Sequence, residues 1–196
     1  IPGGTGPEIT SSFAAGATGI GPVSSFLSNN LNDYISTSAS DKELKKALYS
    51  ANRYNSQTSI MMLDIDYFKL VNDKYGHNIG DSVLIEFANI LKQCIRKTDL
   101  VGRWGGEEFL IIAHSTNKKD AKALAIKIKE FVSNYEFKFV GKKTISIGLT
   151  QIKQLDSNIT DFISRADEAL YKAKANGRNR VETDESNNLI INNYII

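Results

Sequence analysis

The sequence predicts an α/β layer structure, and three observations predict it. Short apolar runs of strand length alternate with longer stretches whose apolar residues recur at three- and four-residue intervals. A glycine pair, Gly105-Gly106, separates two apolar runs in the pattern of a β-hairpin. The composition is globular, with 41% apolar and 23% charged residues in 196, enough chain to bury a core.

The elements follow in order. Residues 1–32 hold all three prolines, six of the fourteen glycines and one charged residue, Glu8, so they read as a weakly structured segment, either a drifted N-terminus of the domain or partly foreign to it. The chain begins with Ile1, as expected of a fragment, and Gly3–Gly6 lacks the lysine of a phosphate loop. The globular unit is placed at residues 33–184. Ser40–Tyr54 predicts a helix with Ser40 or Asp41 as its N-cap. Thr58–Ile65 is a short apolar run suited to a central strand covered on both faces. Ile79–Arg96 predicts a long amphipathic helix, and Leu100–His114 the hairpin. Asn117–Tyr135 predicts another helix, and FKFV (Phe137–Val140) and KTISIGLTQI (Lys143–Ile152) two strands. Ile159–Ala175 predicts the last helix, stopped by Gly177, with Arg180–Thr183 a short strand. The Asn-rich, apolar tail at residues 185–196 fits no element.

Several function classes are excluded. With 24 basic and 22 acidic residues, the net charge of +2 gives no basic field for nucleic acid. No run of about 18 apolar residues is present to cross a bilayer. The single cysteine, Cys94, forms no internal disulfide and, with only two histidines, no zinc site. A reducing compartment, the cytoplasm, is expected.

Chemistry concentrates at two strand ends. In LDIDYFKLVND (Leu63–Asp73), Asp64 closes an apolar strand, where a bare carboxylate is costly unless paired or metal-bound. Asp66 would share its face, with Ile65 turned away. The alternative is a carboxylate capping the following helix. In GGEEF (Gly105–Phe109), glycines allow a tight turn and close ligand approach. Adjacent glutamates would point to opposite faces, so at most one is expected to join Asp64; the alternative is a hairpin with solvated acids. Two acid sites together suit Mg²⁺, which is usually completed by substrate phosphates.

LDIDYFKLVNDKYGHNIGD, GRWGGEEFLII, TISIGL and ADEALYKAKANGRNRV, in that order from Ile60 to Val181, resemble the signatures of GGDEF-domain diguanylate cyclases. The resemblance implies a palm-like α/β (α+β) fold, with a central, mostly antiparallel sheet flanked by helices. It implies condensation of two GTP into cyclic di-GMP with release of two pyrophosphates, one GTP held by each subunit of a homodimer. It assigns Asp64, the Ile65 carbonyl and Glu107 to two Mg²⁺ per GTP site, for which Mn²⁺ can substitute, with Glu108 a further ligand. Glu107 is also the implied base and Lys69 the stabiliser of transition-state charge. The Phe68 amide and the Lys174–Arg178 pair, expected on one face of the last helix, would hold phosphates. Asn72 and Asp81 would read guanine: a carboxylate accepts from its N1 and N2 hydrogens, a pattern adenine lacks. His77 matches another substrate position, with a structural histidine the alternative. Arg96 and Asp99, in RKTD, resemble an inhibitory R-x-x-D site for the cyclic product, against a plain i,i+3 surface ion pair.

The resemblance is incomplete at the N-terminus. The family's D-x-L-T-G-L-x-N-R motif is met only by AGATGIGPVSSF (Ala15–Phe26), without its charged residues. No sensor or membrane segment accompanies the domain; a membrane anchor would belong to a missing N-terminal region. The competing reading is a module that binds GTP or cyclic di-GMP as a sensor, without turnover.

Overall fold

Every residue of strand β1 (Ser59–Ile65) is buried, as an apolar run at the middle of a sheet requires. The computed structural model describes residues 37–184, so the expectations for residues 1–32 and 185–196 lie outside the described residues. Helix α1 (Thr37–Tyr54) precedes β1, followed by α2 (Phe68–Tyr75), α3 (His77–Cys94), β2 (Leu100–Arg103) and β3 (Glu108–Ala113). Then come α4 (Lys118–Asn134), β4 (Glu136–Phe137), β5 (Gly141–Lys142), β6 (Ile145–Gln151), α5 (Ile159–Ala175) and β7 (Val181–Thr183).

The five-stranded sheet has the order β2-β3-β1-β6-β7. β1 pairs antiparallel with β3 and β6, β2 pairs antiparallel with β3, and β7 alone runs parallel, to β6. The expected mostly antiparallel sheet is therefore observed. Side-chain alternation along β1 divides the core in two. Met61, Leu63 and Ile65 pack with Val83, Leu84 and Phe87 of α3 and Ala125, Ile128 and Val132 of α4. Ile60 and Met62 pack on the other face with Leu44 and Ala47 of α1 and Phe162, Ala166 and Leu170 of α5. Each fully buried large side chain contributes about 1.5–3 kcal/mol. Phe87 and Phe109 meet edge to face at 5.0 Å, locking α3 onto β3.

Local signals explain most boundaries. Asn117 caps α4 by accepting from the Asp120 N–H, and Asn158 and Asp161 form a reciprocal capping box on α5. At the end of α5, Arg178 N–H donates to the Ala173 carbonyl at 2.9 Å and Gly177 N–H to that of Lys174 at 3.4 Å. With Gly177 at φ 110°, this is a Schellman turn, as the glycine predicts.

Three expectations are corrected. α1 already runs at Thr37, which puts Ser40 and Asp41 inside the helix and not at its cap. FKFV is not one strand: Phe137 ends β4, the chain turns through Phe139 at φ 72°, and β4 pairs with β5 as a minimal hairpin. Burial of Phe137 in the core, against an exposed Phe139, sets that break. Arg178 is not on the face of α5, because the Schellman turn ends the helix at Ala175 and carries Arg178 into the following loop.

Candidate active site

The site forms where the C-terminal end of β1 meets the turn before β3. Register places Asp64 opposite Glu108, and Glu107 lies in the turn just outside the ladder. Both glutamates lie near enough for their charges to act on Asp64. Asp64 is 7% exposed. Burial pushes its carboxyl above the ordinary 3.8, Lys174 opposes this, and the negative charges of Glu107 and Glu108 push it further up. Lys174 reaches from α5 to place Nζ 2.7 Å from Asp64 Oδ2.

Asp66 is diverted from this cluster. Just past the strand, its carboxylate accepts from Thr144 Oγ1 at 2.6 Å, Ser146 Oγ at 2.7 Å and the Asn179 N–H at 3.0 Å. With so many partners a buried acid is structural: it ties β1, β6 and the loop after α5 together. Ile65 between the two acids buries its side chain in the core, which leaves only its carbonyl for a ligand role.

The turn is held from its own strands. Trp104 and Gly105 donate N–H groups to the Glu108 carbonyl, and the Arg103 guanidinium donates to the carbonyls of Gly105 and Gly106. Neither glycine of the pair has a positive φ. A Cβ on Gly105 would stand 3.1 Å from Glu108 Oε2, while one on Gly106 would meet open space. Gly105 therefore makes room for the glutamate.

Beside the acids, α2 begins at Phe68, directly after Tyr67 in the left-handed region at φ 59°. Phe68 buries its ring and sits at the helix start, so its amide belongs to the unpaired N–H set of a first turn. Lys69 is exposed one residue on. Asn72 faces α3 at Gly80, where a Cβ would lie 1.9 Å from Asn72 Oδ1. Only glycine admits that approach; the next residue of α3, Asp81, is half-buried. His77 opens α3 and is exposed. Arg178, in the loop after α5, lays its guanidinium over the Tyr67 ring at 4.6 Å.

Arg96 and Asp99 lie apart, between α3 and β2. Asp99 is 6% exposed; its carboxylate accepts from the Arg96 N–H at 3.1 Å and the His114 N–H at 3.2 Å, tying this turn to the end of β3. Exposed Arg96 lines, with Asp99, Lys92 and Lys97, a cavity of about 270 Å³.

The donor types at the strand ends suit a divalent cation: hard carboxylates, one of them pushed up by burial and acidic neighbours and paired with an ammonium. Among the described residues, no three or more acid, histidine or cysteine side chains come together closely enough to hold a metal ion by themselves. Remaining positions would thus fall to backbone carbonyls, water and a phosphate ligand. Sequence reasoning missed Arg103 and Tyr67; nothing in type or spacing marks an exposed tyrosine or an arginine serving backbone carbonyls.

Residues 36–180 match the family described as diguanylate cyclase, GGDEF domain. Diguanylate cyclase A of Treponema denticola is 41% identical over 150 residues, 74% of this chain and 40% of its own length. The response regulator PleD of Caulobacter vibrioides is 36% identical over 173 residues, 80% of this chain and 38% of its own. The chain thus spans about two fifths of the length of these curated relatives. Among solved structures, the GGDEF domain of DgcB from Caulobacter crescentus, in complex with c-di-GMP, superposes with a TM-score of 0.72 at 31% identity, covering 76% of this chain and 88% of that one. The active GGEEF domain of a Vibrio cholerae diguanylate cyclase gives 0.70 at 35%, covering 74% and 93%. With a family match over most of the chain and relatives and solved structures alike in sequence and fold, the chain belongs to the GGDEF-domain family of diguanylate cyclases.

Proposed function

We propose that this domain condenses two GTP into cyclic di-GMP with release of two pyrophosphates, as a homodimer with one GTP on each subunit. The observation that carries the reading is the buried Asp64 carboxylate at the end of β1, pushed up by burial and by the charges of Glu107 and Glu108 and paired with Lys174. Asp64, the Ile65 carbonyl, Glu107 and Glu108 would hold two Mg²⁺, or Mn²⁺ in their place. When bound, these ions lower the pKa of the attacking 3′-hydroxyl and neutralise the departing pyrophosphate.

The chain's own groups do the rest. Glu107 takes the proton of the 3′-hydroxyl as its oxygen bonds to the α-phosphorus of the facing GTP and the bond to pyrophosphate breaks. Lys69, exposed beside the helix start, meets the charge that develops on the phosphoryl oxygens. The Phe68 amide, Lys174 and Arg178 hold the triphosphate. Asn72 and Asp81 read the guanine edge, which selects GTP over ATP, and His77 flanks them at the start of α3. Arg96 and Asp99 form the inhibitory product site, supported by the exposed guanidinium at the cavity between α3 and β2. No described helix is long and apolar enough to cross a membrane, and the nucleotide substrate places the reaction in the cytoplasm.

The test is to incubate the chain, fused to a dimerising segment, with GTP and Mg²⁺ and identify products by mass. Cyclic di-GMP is expected from the wild-type sequence, and none above about a hundredth of that rate from Glu107→Gln. Full activity in the variant would overturn the assignment. Tight GTP binding without pyrophosphate release would replace the cyclase with a sensor.

A further inference from the structure

Backbone strain in this molecule gathers at one junction. Six non-glycine residues have positive φ among those described, and three of them, Tyr67 (59°), Arg178 (64°) and Asn179 (46°), meet where β1 passes into α2 and the chain leaves α5. Left-handed backbone is uncommon for any side chain but glycine, asparagine and aspartate, and a bulky aromatic is the least suited to it. Asn179 suits its position, and its N–H is bound by Asp66. Tyr67 has no such local reason: its side chain is 58% exposed and caps nothing. What it does touch is Arg178, whose guanidinium lies 4.6 Å from the ring centroid.

We propose that Tyr67 is a positioning residue for the triphosphate, holding the Arg178 guanidinium over its ring beside the start of α2. This rests on the assignment of GTP to the site. An aromatic ring attracts the guanidinium charge without supplying a lone-pair acceptor, so the N–H donors remain available for phosphate oxygens. An arginine in a loop otherwise gives up much rotamer freedom when it binds, and a ring beneath it removes part of that loss beforehand. Two braces therefore join the loop after α5 to the start of α2: Asp66 grips the backbone at Asn179, and Tyr67 orients the side chain at Arg178. The left-handed backbone and the ring contact with Arg178 fall on the same residue, next to the proposed phosphate site.

The substitution Tyr67→Asn separates the two roles, because asparagine is at ease in the left-handed region yet offers no ring. Titration of the chain with a non-hydrolysable GTP analogue and Mg²⁺ reads the site whether or not the chain dimerises. Tyr67→Asn is expected to weaken binding about two- to fivefold, the size of an exposed cation–π contact, with Tm unchanged or higher. Tyr67→Phe restores the wild-type Kd, and in an Arg178→Gln background Tyr67→Asn adds nothing. A wild-type Kd in Tyr67→Asn, or an equal loss in both backgrounds, overturns the role of Tyr67 while leaving the nucleotide site standing. If the unaltered chain fails to bind the analogue, the assignment of GTP to the site falls, and this role with it.

Discussion

Asp64 is held at odds with the fold it belongs to. Its carboxyl is raised by burial and by Glu107 and Glu108, and Lys174 only partly offsets this. A carboxyl whose folded pKa exceeds the unfolded 3.8 favours folding in its protonated form. That contribution is complete below 3.8 and is lost as pH rises through the folded value. Asp64→Asn, which mimics the protonated form, should therefore raise Tm by a few degrees at pH 7, show no gain well below pH 3.8, and lose all turnover. A pH series of thermal melts without divalent cations checks this, and equal Tm values at pH 7 would contradict it. The sequence made this acid visible because a carboxylate ending an apolar run is rare and expensive. It could not show that Lys174, more than a hundred residues on, would reach Asp64, nor that Asp66 would bond to Ser146 and Thr144. Those are tertiary contacts with no local signature.

Among the elements, α5 and β6 are set by a single missing side chain. A Cβ on Gly148 would lie 2.1 Å from the Ala166 carbonyl oxygen and 2.3 Å from the Leu170 nitrogen, both helix backbone. Backbone cannot rotate aside as a side chain can, so Gly148→Ala must push α5 off the sheet. The loss should be about 3 kcal/mol, as for severe overpacking, read from the urea midpoint. Because α5 carries Lys174 and leads into Arg178, GTP affinity should fall with it. Element type was legible from periodicity and capping residues, and Gly177 marked the stop of α5, although Arg178 beyond it was still expected on the helix face. The first helix and the Phe137–Val140 segment were less so. Ser40 and Asp41 are cap-type residues used inside a helix, and Phe139 turns left-handed where its apolar character argued for a strand.

At the scale of the whole molecule, one chain presents one nucleotide cluster while the proposed reaction joins two nucleotides. Pyrophosphate release from the unfused chain should therefore rise with the square of enzyme concentration at high dilution, and linearly once two copies are fused. A linear dependence without fusion, in a chain shown to be monomeric, would rule out the two-subunit scheme. The central place of β1 has a further consequence, for the order in which the protein acquires its shape. β1 leaves the ribosome early, yet Ser59 pairs with Ala113 on one side and Gln151 on the other. Until β6 is made, the middle strand of the finished sheet is an unpaired apolar edge, open to the wrong neighbour. Such long-range pairing slows folding, and synthesis interrupted before β6 yields a chain more apt to aggregate than to fold.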